Sequence, residues 1–266
     1  MIPLYQIDAF SAEPFSGNPA AVCPLTAWPD DAVMQSIAAE NNLAETAFFA
    51  PEGDGYRLRW FTPKVEVKLC GHATLASGYV LLNLLTPEKH RVIFHTPSGP
   101  LEVWREGASG RLAMSLPAAK SFPHILSGDL SRALGDKPSE LLLASLNGDY
   151  VMAVYDNAEK VKRLSPDMAA IAQLCEGLVV TAQAPAEAGY DIVSRFFAPA
   201  MGVPEDPVRG SAHCQIIPYW AARLGKADLT AYQASARGGW LYCSDAGERV
   251  IFRGDCAFFM KGEINL

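Results

Sequence analysis

With 266 residues, half of them hydrophobic, the chain can bury one large core or two of average size, which excludes a disordered or fibrous protein. A formal net charge of −7 and the lack of any long Lys/Arg run exclude nucleic acid as an expected partner. The opening Met1-Ile2-Pro3-Leu4-Tyr5-Gln6 has no leader pattern and no apolar run reaches a membrane span, so a cytoplasmic protein without a membrane partner is expected.

In chain order, alternating apolar runs predict strands over Leu4 to Phe10, Ala47 to Phe49, Tyr56 to Phe61, Arg91 to His95, Leu101 to Trp104 and Leu112 to Leu116. Further on they predict strands over Leu141 to Leu146, Tyr150 to Tyr155, Leu178 to Ala182, Ile192 to Phe197, Trp240 to Cys243, Val250 to Phe252 and Ala257 to Met260. A first helix is marked by Pro29, Asp30 and Asp31 and stops near Asn41-Asn42; another is predicted from Ser165 as N-cap with Pro166 in the first helical position. The helices after Gly71 and Gly210 are apolar almost all round and are therefore expected to be buried, with Pro218 kinking the second. Six cysteines without CxxC spacing fit a reduced compartment and argue against structural zinc, so no metal is expected.

The two halves repeat one passage. Tyr56 opens a strand closed by Phe61-Thr62-Pro63, and Cys70-Gly71-His72-Ala73 leads into an apolar helix; Tyr190, Phe197-Ala198-Pro199 and Arg209-Gly210-Ser211-Ala212-His213 repeat the order. Upstream stand Glu45 in the first copy and Glu176 in the second. Facing halves make a cleft, and two helix N-termini lining it attract small anions through their backbone N–H groups and dipoles. Strands wrapped on one buried helix per half give an α+β fold: two pseudo-symmetric domains, each a curved, barrel-like sheet around a central helix. The expected division is 1–118, with strand 255–266 a candidate to join it, and 119–254.

Phe15-Ser16-Gly17-Asn18-Pro19-Ala20-Ala21-Val22, Ala44-Glu45-Thr46-Ala47-Phe48, Phe61-Thr62-Pro63 with Cys70-Gly71-His72-Ala73-Thr74, and Glu205-Asp206-Pro207-Val208-Arg209-Gly210-Ser211-Ala212-His213 follow in order. In these passages the chain resembles the PhzF family of phenazine-biosynthesis-like isomerases, which shares its fold with diaminopimelate epimerase and proline racemase. The resemblance implies a two-domain, cofactor-free enzyme, usually a homodimer, with its catalytic acid/base on Glu45 and supporting residues on His72, Asp206 and Ser211.

The residue types suit that chemistry. Isomerisation without a cofactor needs a group that takes a proton from carbon and returns one elsewhere, and a carboxylate flanked by Leu43, Ala47 and Phe48 could do both. Taken locally, Glu45 is more readily read as a surface residue of an edge strand, and the resemblance is what favours the catalytic role. His72 at a helix start suits a substrate carboxylate or proton transfer, or else a capping or core role. Asp206 before Pro207 is held before the helix or simply forms a turn, and Ser211 can cap the helix, bind ligand or do both. Gly71 and Gly210 would let backbone approach a ligand, and the N–H groups from Gly71 to Ala73 and Gly210 to Ala212 would bind an anion. A hydrolase triad of Asp206, Ser211 and His213 is rejected, because Ser211 and His213 diverge and no G-x-S-x-G elbow surrounds the serine.

Racemisation by two thiols would place one cysteine before each of Gly71 and Gly210. Cys70 stands before Gly71 but Arg209 before Gly210, leaving only Cys214 as a second thiol. The family usually has Ser where Ala44 stands and a small residue where Arg209 stands; Arg209 could pair with a carboxylate or phosphate, or face solvent. The expected function is a cofactor-independent isomerase of a small carboxylated metabolite, with a trans-2,3-dihydro-3-hydroxyanthranilate-like substrate as candidate. A non-catalytic ligand-binding or interaction module on the same fold is the alternative, and a two-thiol racemase or epimerase a lesser one.

Overall fold

A computed structural model describes residues 1–125, 128–145 and 149–266. The chain forms two compact units, Met1–Ser115 with Phe252–Leu266, and Leu116–Ile251. In the first, strands β1 (Ile2–Ala9) and β2 (Asn18–Pro24) pair antiparallel, helix α1 (Asp31–Asn41) crosses over, and β3 (Glu45–Glu52) returns parallel to β2. Strand β4 (Gly55–Phe61) then pairs antiparallel with β3, a short β5 (Glu66–Val67) adds to it, and α2 (Gly71–Tyr79) runs on into a π-helical turn, Val80–Leu85. Strands β6 (Arg91–Thr96), β7 (Gly99–Arg105) and β8 (Leu112–Pro117) follow, β6 lying parallel to β4.

The second unit starts with β9 (Phe122–Pro123) and α3 (Gly128–Leu134) and then repeats that order. Strands β10 (Glu140–Ser145) and β11 (Asp149–Tyr155) pair antiparallel, α4 (Ala158–Arg163) and α5 (Met168–Leu174) cross over, and β12 (Gly177–Gln183) returns parallel to β11. Strand β13 (Ile192–Phe197) pairs antiparallel with β12, helix α6 (Gly210–Leu224) follows, and β14 (Asp228–Gln233) lies parallel to β13. After β15 (Gly239–Asp245) and β16 (Arg249–Gly254), β17 (Cys256–Ile264) pairs with β1 in the first unit. The fold is α+β with pseudo-symmetric halves, and the sheet is mixed rather than a closed barrel. No helix among the described residues is long and apolar enough to cross a membrane.

The two apolar helices are the ones the chain buries. In α2 every residue from His72 to Gly78 is buried, and in α6 Ala212 to Ile217, Trp220 and Ala221 are. Each such Leu or Ile side chain contributes about 1.5–3 kcal/mol of transfer free energy. Smaller clusters pack α1 (Met34, Ile37, Ala38) on Phe48 and Phe61, and α3 to α5 on Tyr155, Val180 and Phe197.

Several local expectations are corrected. Helix α1 stops at Asn42, left-handed at φ 48°, as its sequence implies, but Asp30 is its N-cap. The predicted cap at Ser165 gives way to Asp167, whose carboxylate accepts from Ala169 and Ala170 N–H at 3.0 and 3.1 Å. Helix α6 continues across Pro218 to Leu224. Proline removes the N–H that Cys214 C=O would accept, and Ala119 N–H takes that place at 2.9 Å. Strands β2 and β14 are additional to those expected, β14 although its burial alternates along Leu229, Ala231 and Gln233, and Leu146, the predicted end of one strand, lies outside the described residues.

Candidate active site

Glu45 is the first residue of β3 and faces inward because the strand carries buried side chains on both faces over its first six positions. Helix α2 lies against β1, β2 and β3, bringing its first turn to the strand starts. His72 Nε2 comes within 3.2 Å of Glu45 Oε2, and both side chains are almost wholly buried. The pair is within ion-pair distance but out of hydrogen-bond alignment, and neither atom has a hydrogen-bond partner among the described residues. Leaving a buried polar atom unsatisfied costs about 1–3 kcal/mol, and a catalytic role is one of the reasons a native fold keeps one.

The other edge of the imidazole is also engaged. Asn18 Nδ2 lies 3.2 Å and Cys70 Sγ 3.5 Å from His72 Nδ1. Asn18 is fully buried at the start of β2, two residues before the Ala20↔Glu45 pair of the parallel ladder. Glu45, Cys70 and His72 offer ligand atoms within 4.8 Å of one another, close enough to hold a metal ion. The sulfur approaches Nδ1 and the carboxylate Nε2, so the two groups meet different nitrogens of the ring. Cys70 caps α2 in extended conformation without a side-chain hydrogen bond to the first turn, where Gly71, His72 and Ala73 contribute their N–H groups.

In the second unit the corresponding helix start is organised by Arg209, which occupies the same extended N-cap position before α6. Its guanidinium donates to Asp206 Oδ2 at 3.1 Å, Ser211 Oγ at 3.1 Å and Tyr150 Oη at 3.2 Å, and its Cζ lies 5.4 Å from the centre of the Phe196 ring. Arg209 is thus folded into the group rather than extended into solvent. Gln233 binds both ends of the loop, accepting from Arg209 N–H at 2.9 Å and donating to Asp206 C=O at 2.7 Å. Asp206 Oδ1 also accepts from Val208 N–H at 3.2 Å, the turn that Asp-Pro sequences favour. A bidentate Arg195–Glu205 pair, 2.7 and 3.0 Å, secures the approach to that turn.

His213 and Cys214 serve the helix itself. His213 Nδ1 donates to Arg209 C=O at 2.9 Å and Nε2 accepts from Ser194 Oγ at 3.2 Å; burial pushes its imidazole down to about 4. A His213 so committed has no nitrogen for Ser211, consistent with rejecting a triad. Cys214 Sγ turns to Gly210 C=O, and burial pushes its thiol up to about 12, so it supplies no thiolate near neutral pH.

Of the residues expected at the site, Glu45, Gly71, His72 and Ala73 thus belong to the first unit, and Asp206, Arg209, Gly210, Ser211 and Ala212 to the second. Asn18, Tyr150 and Gln233 were not anticipated. Asn18 had a signal, a polar residue between Gly17 and Pro19 in a quoted motif, whereas Tyr150 and Gln233 read as ordinary strand residues.

The comparisons with known proteins agree with this architecture. The sequence model of the PhzC-PhzF family, phenazine biosynthesis-like proteins, matches residues 7–262. A Pseudomonas aeruginosa protein named as an uncharacterized isomerase is 48% identical over 266 residues, 100% of this chain and 99% of its own. The crystal structure of a PhzF-family protein from Enterococcus faecalis superposes with a TM-score of 0.94 at 42% identity, covering 100% of this chain and 99% of that one. A predicted epimerase of Pseudomonas aeruginosa shares the fold at TM-score 0.79 and 20% identity over 99% of both chains. The order of elements defines a two-unit α+β fold that the predicted epimerase shares. This chain belongs to the phenazine biosynthesis-like PhzF family, and several of its relatives carry the name isomerase.

Proposed function

We propose that the protein is a cofactor-independent isomerase of a small carboxylated metabolite, moving a proton through Glu45. The observation that carries the reading is the buried Glu45 carboxylate, with Oε2 unsatisfied and 3.2 Å from the His72 imidazole. A buried carboxylate beside a polar ring can take a proton from a substrate carbon and return it at another, with His72 steadying the charge. A trans-2,3-dihydro-3-hydroxyanthranilate-like acid is the candidate substrate, and the working enzyme is proposed to be a cytoplasmic homodimer.

In the second unit we assign recognition of a carboxylate to Ser211, the Arg209 guanidinium and the N–H groups of Gly210 and Ala212, with Asp206 orienting Arg209. The oriented guanidinium and the opening turn of α6 both favour an anion. A two-thiol mechanism finds no support, because Cys214 points into its own helix.

The test is turnover in heavy water over a panel of cyclic and unsaturated amino-acid-like carboxylates. Deuterium is expected at the new C–H position of the product, and Glu45→Gln is expected to abolish its incorporation while retaining ligand binding. Turnover by Glu45→Gln at the wild-type rate would overturn the carboxylate mechanism. Binding of the panel without any conversion would favour a non-catalytic binding module.

A further inference from the structure

The proton-transfer reading says nothing of which nitrogen of His72 carries its hydrogen, and the first unit holds an answer. Two side chains approach Nδ1: the Asn18 amide nitrogen at 3.2 Å and the Cys70 thiol at 3.5 Å. Both can donate a hydrogen, and an imidazole nitrogen facing donors is satisfied only as an acceptor. The single hydrogen of a neutral ring then sits on Nε2, the atom 3.2 Å from Glu45. His213 shows the opposite arrangement, with Nδ1 on a backbone carbonyl and Nε2 on the Ser194 hydroxyl, which places its hydrogen on Nδ1.

We propose that Asn18 is a positioning residue that fixes His72 as the Nε2–H tautomer, so that the ring nitrogen 3.2 Å from the Glu45 carboxylate carries the hydrogen and has no free lone pair. Asn18 is suited to this by its place. It is fully buried and held in the β1–β2 ladder opposite Ala9. Gly17, at φ 68°, delivers it through a turn in which a Cβ would lie 2.2 Å from Ala9 O, so only glycine fits there. The consequence is a division of labour: Glu45 is the group that accepts a proton, and the neutral His72 has no basic lone pair at the nitrogen nearest to it. The importance of this for catalysis rests on the isomerase reading, but the tautomer itself does not, because it is read without substrate.

The experiment is long-range 1H–15N correlation of the imidazoles in 15N-labelled protein at neutral pH, with signals assigned through their loss in His72→Gln and His213→Gln. In the wild type, His72 is expected to show a protonated Nε2 and bare Nδ1, and His213 the reverse pattern in the same spectrum. Asn18→Asp offers Nδ1 only an acceptor and is expected to move the His72 hydrogen to Nδ1 or to add a second one there; Asn18→Leu is expected to give a mixture. A wild-type His72 protonated at Nδ1 would overturn the proposal, since the Asn18 amide would then present its oxygen. An Nε2–H tautomer unchanged in both variants would overturn the role of Asn18, and if neither variant folds, the wild-type spectrum still decides the tautomer. Unimpaired turnover by Glu45→Gln would leave the tautomer standing and remove only its catalytic meaning.

Discussion

Glu45 and Gly177 occupy the same place in their respective units. Each opens the returning strand of a parallel pair, and each precedes the residue that faces the closing phenylalanine of the next strand, Thr46↔Phe61 and Leu178↔Phe197. In the first unit that place holds a buried carboxylate beside an imidazole. In the second it holds no side chain, because the Tyr150 and Phe196 rings fill it: a Cβ on Gly177 would lie 2.7 Å and 2.8 Å from them. Glu176, the acid nearest in sequence, is exposed and precedes the strand. One topology thus carries two chemistries, a titratable group in one copy and, in the other, an aromatic shelf under Arg209, which lies over Phe196 and donates to Tyr150. A repeated backbone specifies where a group can stand, and the packing around it decides which group does.

The contrast is broken most severely by removing the carboxylate. Glu45→Gln keeps the shape and should lower kcat by ~10²- to 10⁴-fold while leaving binding intact, as steady-state kinetics and calorimetric titration would show. Cys70→Ala should cost less than ~10-fold, because general acid/base transfer through Glu45 needs no thiol. A reversal of that order would make the thiol the working group.

The two histidines sharpen the contrast next. His213 stays neutral in the folded state down to about 4, against an ordinary value of 6.5. The unfolded chain therefore binds the extra proton between those values, so the stabilising difference is present above pH 6.5 and is lost as pH falls toward 4. The loss is roughly 3 kcal/mol, and His213→Gln should flatten that part of the stability profile in chemical unfolding. A profile unchanged by the substitution would mean that His213 is charged or exposed.

A smaller effect is expected from Gly177→Ala. The added methyl must displace the Tyr150 or Phe196 ring, a form of overpacking that typically costs about 1–3 kcal/mol and would appear as a lowered Tm. Because Tyr150 holds Arg209, the variant should also loosen anion binding; stability and binding both at wild-type level would show that the shelf yields freely. Last, Arg209→Thr should weaken binding of sulfate or a small carboxylate by ~10-fold or less, with the difference shrinking as salt is raised. Equal affinity at low salt would remove Arg209 from the anion site.

Much of this was legible in the chain. The doubled Phe-x-Pro and Gly-leading-into-apolar-helix passages determined the pseudo-symmetric α+β fold, because an all-round apolar helix has to be wrapped by strands wherever it falls. The same motifs singled out Glu45 and His72, and Asn42 marked the end of α1 through its tolerance of positive φ. Tertiary structure decided the rest. Whether Glu45 is buried depends on α2 lying across β2 and β3, a long-range contact that no local pattern encodes. The same contact recruits Asn18, 54 positions from His72. Arg209, read from sequence as facing either ligand or solvent, is drawn inward by Asp206 and Tyr150, since three hydrogen bonds and a ring face outweigh the hydration its guanidinium gives up. Pro218 interrupts the hydrogen-bond ladder of α6, yet Ala119 restores the lost partner from a distant segment. Apolar periodicity is a property of neighbours along the chain, whereas polar satisfaction is settled by whichever donors the folded chain brings within about 3 Å.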